Sequence, residues 1–202
     1  GAKDGTALAV LPDTIANFQL LDPAKAKWDV RKLQYIGSFT PINSIIMRRG
    51  DIAAKTIAEL RTKESTVGCT GKNAQSYQFP AAAKILAGFN FRMICGYRGA
   101  SGITLAMERK EVELGALGWT AWRVSHNTQL EKGEVVPVFQ IGLKREVELP
   151  NVPLLQELVT DPDAKQAIEF ISGGTAIGRA LSAPPGVPED RIAYLRSVFD
   201  KT

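Results

Sequence analysis

Histidine and cysteine are scarce in this 202-residue chain, and their scarcity limits the chemistry that the protein can perform. One histidine, His126, and two cysteines, Cys69 and Cys95, cannot build a four-ligand zinc site without carboxylates. A nucleophilic Cys–His pair would need His126 beside a thiol, but the polar stretch SHNTQ predicts a surface position for this histidine. We therefore expect neither a metal nor another cofactor.

The two cysteines each lie near the end of a predicted strand. Two buried free thiols are the favoured interpretation. A disulfide stays open as an alternative if the two strands are neighbours, because the sequence does not fix the distance between them.

Long apolar runs are also missing. No run reaches the roughly 18 residues that a membrane-spanning helix needs. The chain begins GAKDGTALAV, without a start methionine or a charged leader, so no signal peptide is expected in it. The remaining composition, 45% hydrophobic and 23% charged, is typical of an ordinary globular protein.

The charge of the chain is only mildly positive. A net charge of +4 suits an acidic ligand, although a solvated surface with a small excess of basic residues explains it equally well. No basic tract with interleaved aromatic residues is present, so nucleic acid is not an expected partner.

Two motif tests argue against an enzyme. The stretch TVGCTGKNAQS (66–76) contains a Gly-Lys pair, but Thr66 and Asn73 stand where a phosphate loop requires Gly and Ser or Thr. GYRGASG offers Ser101, but its spacing does not fit a G-x-S-x-G nucleophile elbow. What remains in the first stretch is a polar turn that opens a helix, whose N-terminal amides favour an anion.

Strand-like and helical patterns alternate through the middle of the chain. TIAELRTKE (56–64) begins with a capping box formed by Thr56 and Glu59. The runs STVGC, FRMICGY and VELGALG each precede a helical pattern; Gly88 would end the first of these helices, and Pro80 predicts a kink or a late start in it. This alternation predicts an α/β fold with a parallel sheet.

The two ends of the chain give weaker patterns. TALAVL (6–11) predicts a strand, and Asp13 is placed as the N-cap of the helix that follows. Residues 33–39 and 43–49 predict two further strands. At the other end, Pro188 predicts the first position of the last helix.

Two crossings of the chain, near residues 40–45 and 136–145, suggest two lobes. Residues 43–145 would form a complete second lobe, an α/β unit that binds the ligand. Residues 1–42 and 146–202 would form an incomplete, discontinuous first lobe. We therefore expect two lobes with parallel or mixed sheets joined by two crossing strands, the layout of a hinged binding protein.

Five segments, taken in order, are similar to one known family. They are DGTALAVLPDTIA, TVGCTGKNAQS, GYRGASGITLAMERKEVE, LKREVELPNVPLLQEL and SAPPGVPEDRIAYLR. Together they span nearly the whole chain and resemble the solute receptors of tripartite tricarboxylate transporters, also called Bug-type receptors. None of the segments is specific alone, so their common order carries the resemblance.

The resemblance implies a periplasmic-binding-protein fold that closes on a small di- or tricarboxylate in a cleft between its lobes. It further implies a periplasmic location and a membrane permease that receives the solute. Two alternatives stay open: a ligand sensor that acts on a signalling partner, and a small-molecule enzyme.

In this family three turns converge on the ligand, and the matching positions here are candidate ligand-binding residues. They are Pro12, Asp13 and Thr14 in the first lobe and Thr70, Gly71, Asn73, Ala74, Gln75, Tyr97, Arg98, Gly99, Ala100, Ser101, Trp119 and Thr120 in the second. The alternative for Thr70 and Ser101 is that they only cap their helices. Arg98 could equally stay solvated, and one of Trp119 and Trp122 is expected to be core.

The chain also departs from the family. It starts without the family's first strand, Gly-rich loop and following helix, and it stops before the last C-terminal elements. Relative to the family it is truncated at both ends, and two explanations stay open: it is a fragment, or its first lobe is incomplete by nature. Residues 72–75 read Lys-Asn-Ala-Gln where the family often has Ser and Gly. This difference bears on the identity of the ligand more than on the fold.

Overall fold

The computed structural model describes residues 1–201, apart from the side chain of Leu21. Its strands are β1 (Ala9–Leu11), β2 (Gln34–Ser38), β3 (Ser44–Arg49), β4 (Ser65–Cys69), β5 (Phe91–Cys95), β6 (Leu114–Gly118), β7 (Val135–Ile141) and β8 (Ala180–Ala183). Its helices are α1 (Ile15–Leu21), α2 (Ile57–Thr62), α3 (Gln75–Ala87), α4 (Gly99–Glu108), α5 (Trp119–Glu131), α6 (Pro162–Ile177) and α7 (Glu189–Phe199). Two short 3₁₀ helices cover Val30–Lys32 and Leu155–Leu158.

The chain divides into two compact units. Unit 1 combines Gly1–Pro41 with the described residues from Gly174 onward, and unit 2 is the continuous segment Ile42–Gly173. Both units are α/β, as the sequence predicts. Among residues 1–201, no helix is long and apolar enough to span a bilayer.

Unit 2 is built on a five-stranded mixed sheet in the order β5-β4-β6-β3-β7. Strand β4 runs parallel to β5 and β6, whereas β3 runs antiparallel to β6 and β7. The predicted alternation of strands and helices therefore produces the parallel part of the sheet. As a result, the carboxyl ends of β4, β5 and β6 lie at the same edge.

Alternating side chains on the strands bury both faces of this sheet. On β3, Ile46 faces a core that α3 closes with Phe79. Its neighbours Ile45 and Met47 face a second core, which α4 and α5 close. Trp122 of α5 is fully buried there, and its indole N–H donates to the Ile45 carbonyl at 3.1 Å.

Local signals in the sequence explain where the helices of unit 2 begin and end. The predicted capping box of α2 is confirmed, since the Thr56 hydroxyl accepts from the Glu59 amide and the Glu59 carboxylate accepts from the Thr56 amide. Gly88 ends α3 in the left-handed conformation, with φ of 70°. Pro80 does not delay the start of α3, which begins five residues before it. The one bond that proline removes would have gone to the carbonyl of Ser76, still in the first turn.

The segment after β7 stays within unit 2. The backbone amide of Gln140 donates to the Pro153 carbonyl at 2.8 Å, and its side-chain amide donates to Leu149 and Val152. Leu155 is fully buried in the core beneath the sheet. The division of the chain accordingly falls at residues 173–174, within α6, whereas the sequence places the second crossing at residues 136–145.

Unit 1 contains a three-stranded antiparallel sheet in the order β1-β8-β2. The central strand, β8, is too short to stand out in the sequence and was not predicted. Its residue Ala183 joins Ile36 and Ile192 in a small core under α7. The last helix begins one residue later than predicted, because Pro188 is its N-cap.

Gly178 offers a test of the unit 1 backbone. Its φ is 59°, and a Cβ atom there would overlap the carbonyl oxygen of Thr40. We expect Gly178→Ala to lower the free energy of unfolding by about 2 kcal/mol, measured by urea denaturation. Gly173→Ala is the matched control, because Gly173 is helical and has open space around it. An unchanged stability of Gly178→Ala would show that this left-handed turn is not required.

Candidate functional site

Three helices of unit 2 begin directly after the parallel strands, at the edge where those strands end. The N-caps of α3, α4 and α5 are Ala74, Arg98 and Gly118, and none of them makes a side-chain cap hydrogen bond. The first N–H groups of a helix lack intrahelical acceptors and carry the positive end of the helix dipole. We call this edge the crest and define it as residues 70–75, 96–101 and 118–120.

The first turn of the crest follows β4. Hydrogen bonds between residues of the turn and α3 fix its conformation. The Thr70 amide donates to the Ser76 hydroxyl at 3.2 Å, and the Thr70 and Ser76 hydroxyl oxygens lie 3.1 Å apart. The Ala74 amide donates to the Gly71 carbonyl and closes the turn. Thr70 is therefore not the N-cap of α3. Gly71 has open space where a side chain would project.

The second turn follows β5 and needs glycine twice. Gly96 and Gly99 have φ values of 114° and 67°, in the region that other residues avoid. The Tyr97 hydroxyl donates to Glu111, beyond the far end of α4, at 3.4 Å, and burial and this carboxylate raise the pKa of the phenol. The Tyr97 side chain therefore points along α4 toward Glu111, and Tyr97 contributes mainly its backbone atoms to the crest. Ser101 is exposed and lies inside α4, so it is not that helix's N-cap.

The third turn carries Trp119 and Thr120. The Trp119 indole N–H donates to the carboxylate of Glu148, and Arg123 pairs with the same carboxylate. Because Glu148 contacts both, it fixes the orientation of the Trp119 ring. Nothing in the sequence pattern points to this partner, which lies 29 residues away. The Trp119 amide donates to the Asn43 carbonyl at 2.9 Å.

Directly beneath the first two turns, Cys69 and Cys95 form a disulfide. The expectation of two free thiols is therefore wrong. The two residues are register partners on the adjacent parallel strands β4 and β5, and their Cα atoms are 4.4 Å apart. The Gly96 amide also donates to the Cys69 carbonyl at 3.0 Å. Both turns thus start from covalently joined residues.

The candidates Pro12, Asp13 and Thr14 belong to unit 1, where they follow β1. Asp13 is not the N-cap of α1; Thr14 occupies that position. The Asp13 side chain is instead buried and faces the guanidinium of Arg179 at 3.8 Å. Burial raises the pKa of Asp13, and Arg179 opposes the rise. A role for these residues in ligand binding stays a prediction.

His126 is buried, not at the surface as predicted, with 8% of its area exposed. It packs edge-on against Trp122, with the ring centroids 5.5 Å apart. Both cysteines are in the disulfide, so a Cys–His nucleophile is excluded. Among residues 1–201, no group of three or more His, Cys, Asp or Glu could hold a metal ion.

The pKa of His126 can be predicted from its burial and measured. Burial lowers its pKa, and Glu108 opposes the shift. We expect NMR titration of the only histidine ring to give a pKa below the reference of about 6.5. Because the folded pKa is the lower one, neutral His126 stabilises the fold above pH ~6.5, and this contribution falls as the pH drops below that value. His126→Gln should remove this part of the pH dependence; a pKa at or above the reference would contradict the burial.

An open α/β unit whose helix N-termini meet at the carboxyl ends of parallel strands is the architecture of proteins that bind a small ligand at that edge. Comparison with solved structures identifies the fold more closely. The periplasmic binding protein BugD matches with a TM-score of 0.69 and 18% identity, over 96% of this chain and 62% of its own. A TctC solute-binding protein from Polaromonas matches with a TM-score of 0.66 and 18% identity, over 100% and 65%.

A third structure, MatC from Rhodopseudomonas palustris with bound malate, matches with a TM-score of 0.70 and 19% identity, over 100% of this chain and 66% of its own. The chain therefore spans slightly less than two thirds of the length of these three proteins. No family model and no curated protein matches the sequence. The fold is that of the periplasmic binding proteins, which confirms the predicted fold.

Proposed function

We propose that the protein is a solute-binding receptor of the tripartite tricarboxylate transporter type, which captures a small di- or tricarboxylate at the crest. The observation that carries the proposal is the meeting of three helix N-termini without side-chain caps at one edge of the sheet. Amides in this position bind a carboxylate through charge-assisted hydrogen bonds.

The charges at the crest support an anionic ligand. Residues 70–75, 96–101 and 118–120 include Lys72 and Arg98 but no Asp or Glu. Both basic side chains are exposed. The structural neighbour MatC was solved with malate, a dicarboxylate.

The disulfide supports a periplasmic location. Bonds of this kind persist in oxidising compartments, including the bacterial periplasm, and are rare in the cytosol. A receptor in the periplasm would pass its solute to a membrane permease, which we propose as the protein partner. We further propose that the protein binds without catalysis, because the neighbours that it resembles are binding proteins.

The test is calorimetric titration with malate and with malamide, its uncharged diamide. We expect malate or a related di- or tricarboxylate to bind and malamide not to bind, since only the carboxylates gain charge-assisted bonds. Mass spectrometry of small molecules released from freshly purified protein would identify the natural ligand and show whether it is unaltered. Equal binding of malate and malamide, or turnover of the bound acid, would contradict the proposal.

A further inference from the structure

Unit 2 also contains a cavity of about 600 Å³ at the end of the sheet opposite the crest. Arg49, at the end of β3, and Val135, at the start of β7, both line it. Strand β3 is antiparallel to β6, so its last residue lies beside the first residues of β6, away from the carboxyl ends of the parallel strands. The cavity is therefore separate from the crest.

The cavity has a mainly apolar lining, and closely packed apolar side chains form its floor. These side chains are Met107 of α4, Trp122 of α5 and Val135, all of them buried. Ligand sites for small organic molecules typically enclose 300–1,000 Å³ and have mainly apolar and aromatic walls with a few polar groups. The size and floor of this cavity fit that description.

His126 also lines the cavity, and its ring lacks hydrogen-bond partners within residues 1–201. Its Nδ1 atom is buried and has none. Its Nε2 atom lies 3.8 Å from the nearest Glu108 oxygen, too far for a hydrogen bond. Helix α5 departs from helical geometry at this residue, with φ of −136° and ψ of 24°. Since buried polar groups are normally paired, an unpaired buried imidazole calls for a partner.

The charges around the cavity cancel. Three basic residues line it, Arg49, Lys110 and Lys132, with three acidic ones, Asp51, Glu108 and Glu134. Asp51 accepts from Arg49 at 2.8 Å and lies 2.9 Å from the Lys110 ammonium, so these three form one exposed network. A cavity with balanced charges and an apolar floor does not select an ion.

We propose that this cavity is a second ligand site, which takes a small uncharged aromatic molecule bearing a hydroxyl group, of the phenol class. The ring of the ligand packs on the apolar lining between α4 and α5, beside Val135, and its hydroxyl bonds to Nε2 of the His126 imidazole, since Nδ1 is fully covered. A hydroxyl both donates and accepts, so it satisfies either neutral tautomer of the ring. The site is independent of the receptor function proposed for the crest.

The probes are phenol and toluene, which have nearly the same shape and differ in the hydroxyl. His126 is the only histidine, so its ring signals report directly on the cavity. We expect phenol to shift these signals saturably and to bind about fivefold more tightly than toluene, the effect of one hydrogen bond. This experiment uses the unmutated protein. If phenol leaves the His126 signals unchanged, or if phenol and toluene bind with equal affinity, the proposal is wrong.

A matched pair of variants locates the binding. Gln129→Trp adds a large side chain at a residue that lines the cavity, and Val124→Trp adds the same side chain at an exposed position of the same helix. We expect ligand-observed NMR to show at least tenfold weaker phenol binding in the first variant and unchanged binding in the second. Equal phenol binding in both variants would place the molecule elsewhere and refute the site.

Discussion

Ala74→Asp is expected to weaken carboxylate binding at least a hundredfold while making the protein more stable. Ala74 is the N-cap of α3 and has the extended conformation of an N-cap, with φ of −93° and ψ of 151°, but no side chain to cap with. An aspartate there would accept from the first amides of the helix and add about 1 kcal/mol to the free energy of unfolding. It would also occupy the position where the ligand carboxylate is proposed to bind.

The loss of affinity for Ala74→Asp should be large. The ligand would lose charge-assisted hydrogen bonds, each worth about 1.5–3 kcal/mol, and would meet a like charge. We expect binding of malate, or of the identified carboxylate, to weaken at least a hundredfold by calorimetric titration, while the melting temperature rises.

Ala74→Asn is the matched control for this experiment. Asparagine caps a helix about as well as aspartate but brings no charge. It should raise the melting temperature to a similar extent and retain more of the binding. If Ala74→Asp bound the carboxylate as tightly as Ala74→Asn, the first turn of the crest would not be the anion site.

Removal of the disulfide is expected to have the largest effect on stability. The bond between Cys69 and Cys95 closes a loop with a sequence separation of 26. A cross-link over a loop of that length stabilises by about 3.5 kcal/mol through the restricted unfolded chain. We therefore expect the double variant Cys69→Ala/Cys95→Ala to lose about that free energy of unfolding in urea, and to bind carboxylate more weakly because both turns start at the bridge.

The unmutated protein under a reducing agent is the control that separates the bond from the side chains. It should lose nearly the same stability as the double variant, since both lack the cross-link. A double variant as stable as the oxidised parent would mean that the strand pairing between β4 and β5 supplies the same restraint without the bond.

Much of the fold of unit 2 could be predicted because its signals are local. Thr56 and Glu59 form a capping box within one helical turn, and Gly88 ends a helix through its own backbone freedom. Alternating strands and helices then imply parallel neighbours. The position of the crest follows from the same alternation, since each candidate turn comes directly after a strand.

The features that sequence reasoning missed depend on pairings between distant residues. The disulfide depends on β4 and β5 being adjacent and in register, which periodicity does not reveal. His126 is the exception, because it lies four residues after Trp122 on the buried face of α5, a local spacing that its polar neighbours in sequence concealed. Glu148 contacts Trp119 only because the segment after β7 stays within unit 2.

The placement of β8 has a consequence for how the protein forms on the ribosome. Unit 2 is one uninterrupted stretch, Ile42–Gly173, so all of its strands are synthesised before residue 174. The sheet of unit 1 cannot close at that stage, because its middle strand, Ala180–Ala183, has not been synthesised and β1 and β2 have no common neighbour. Domains generally fold as their residues emerge. Strands β1 and β2 therefore wait for a partner strand that is made only after the whole of unit 2.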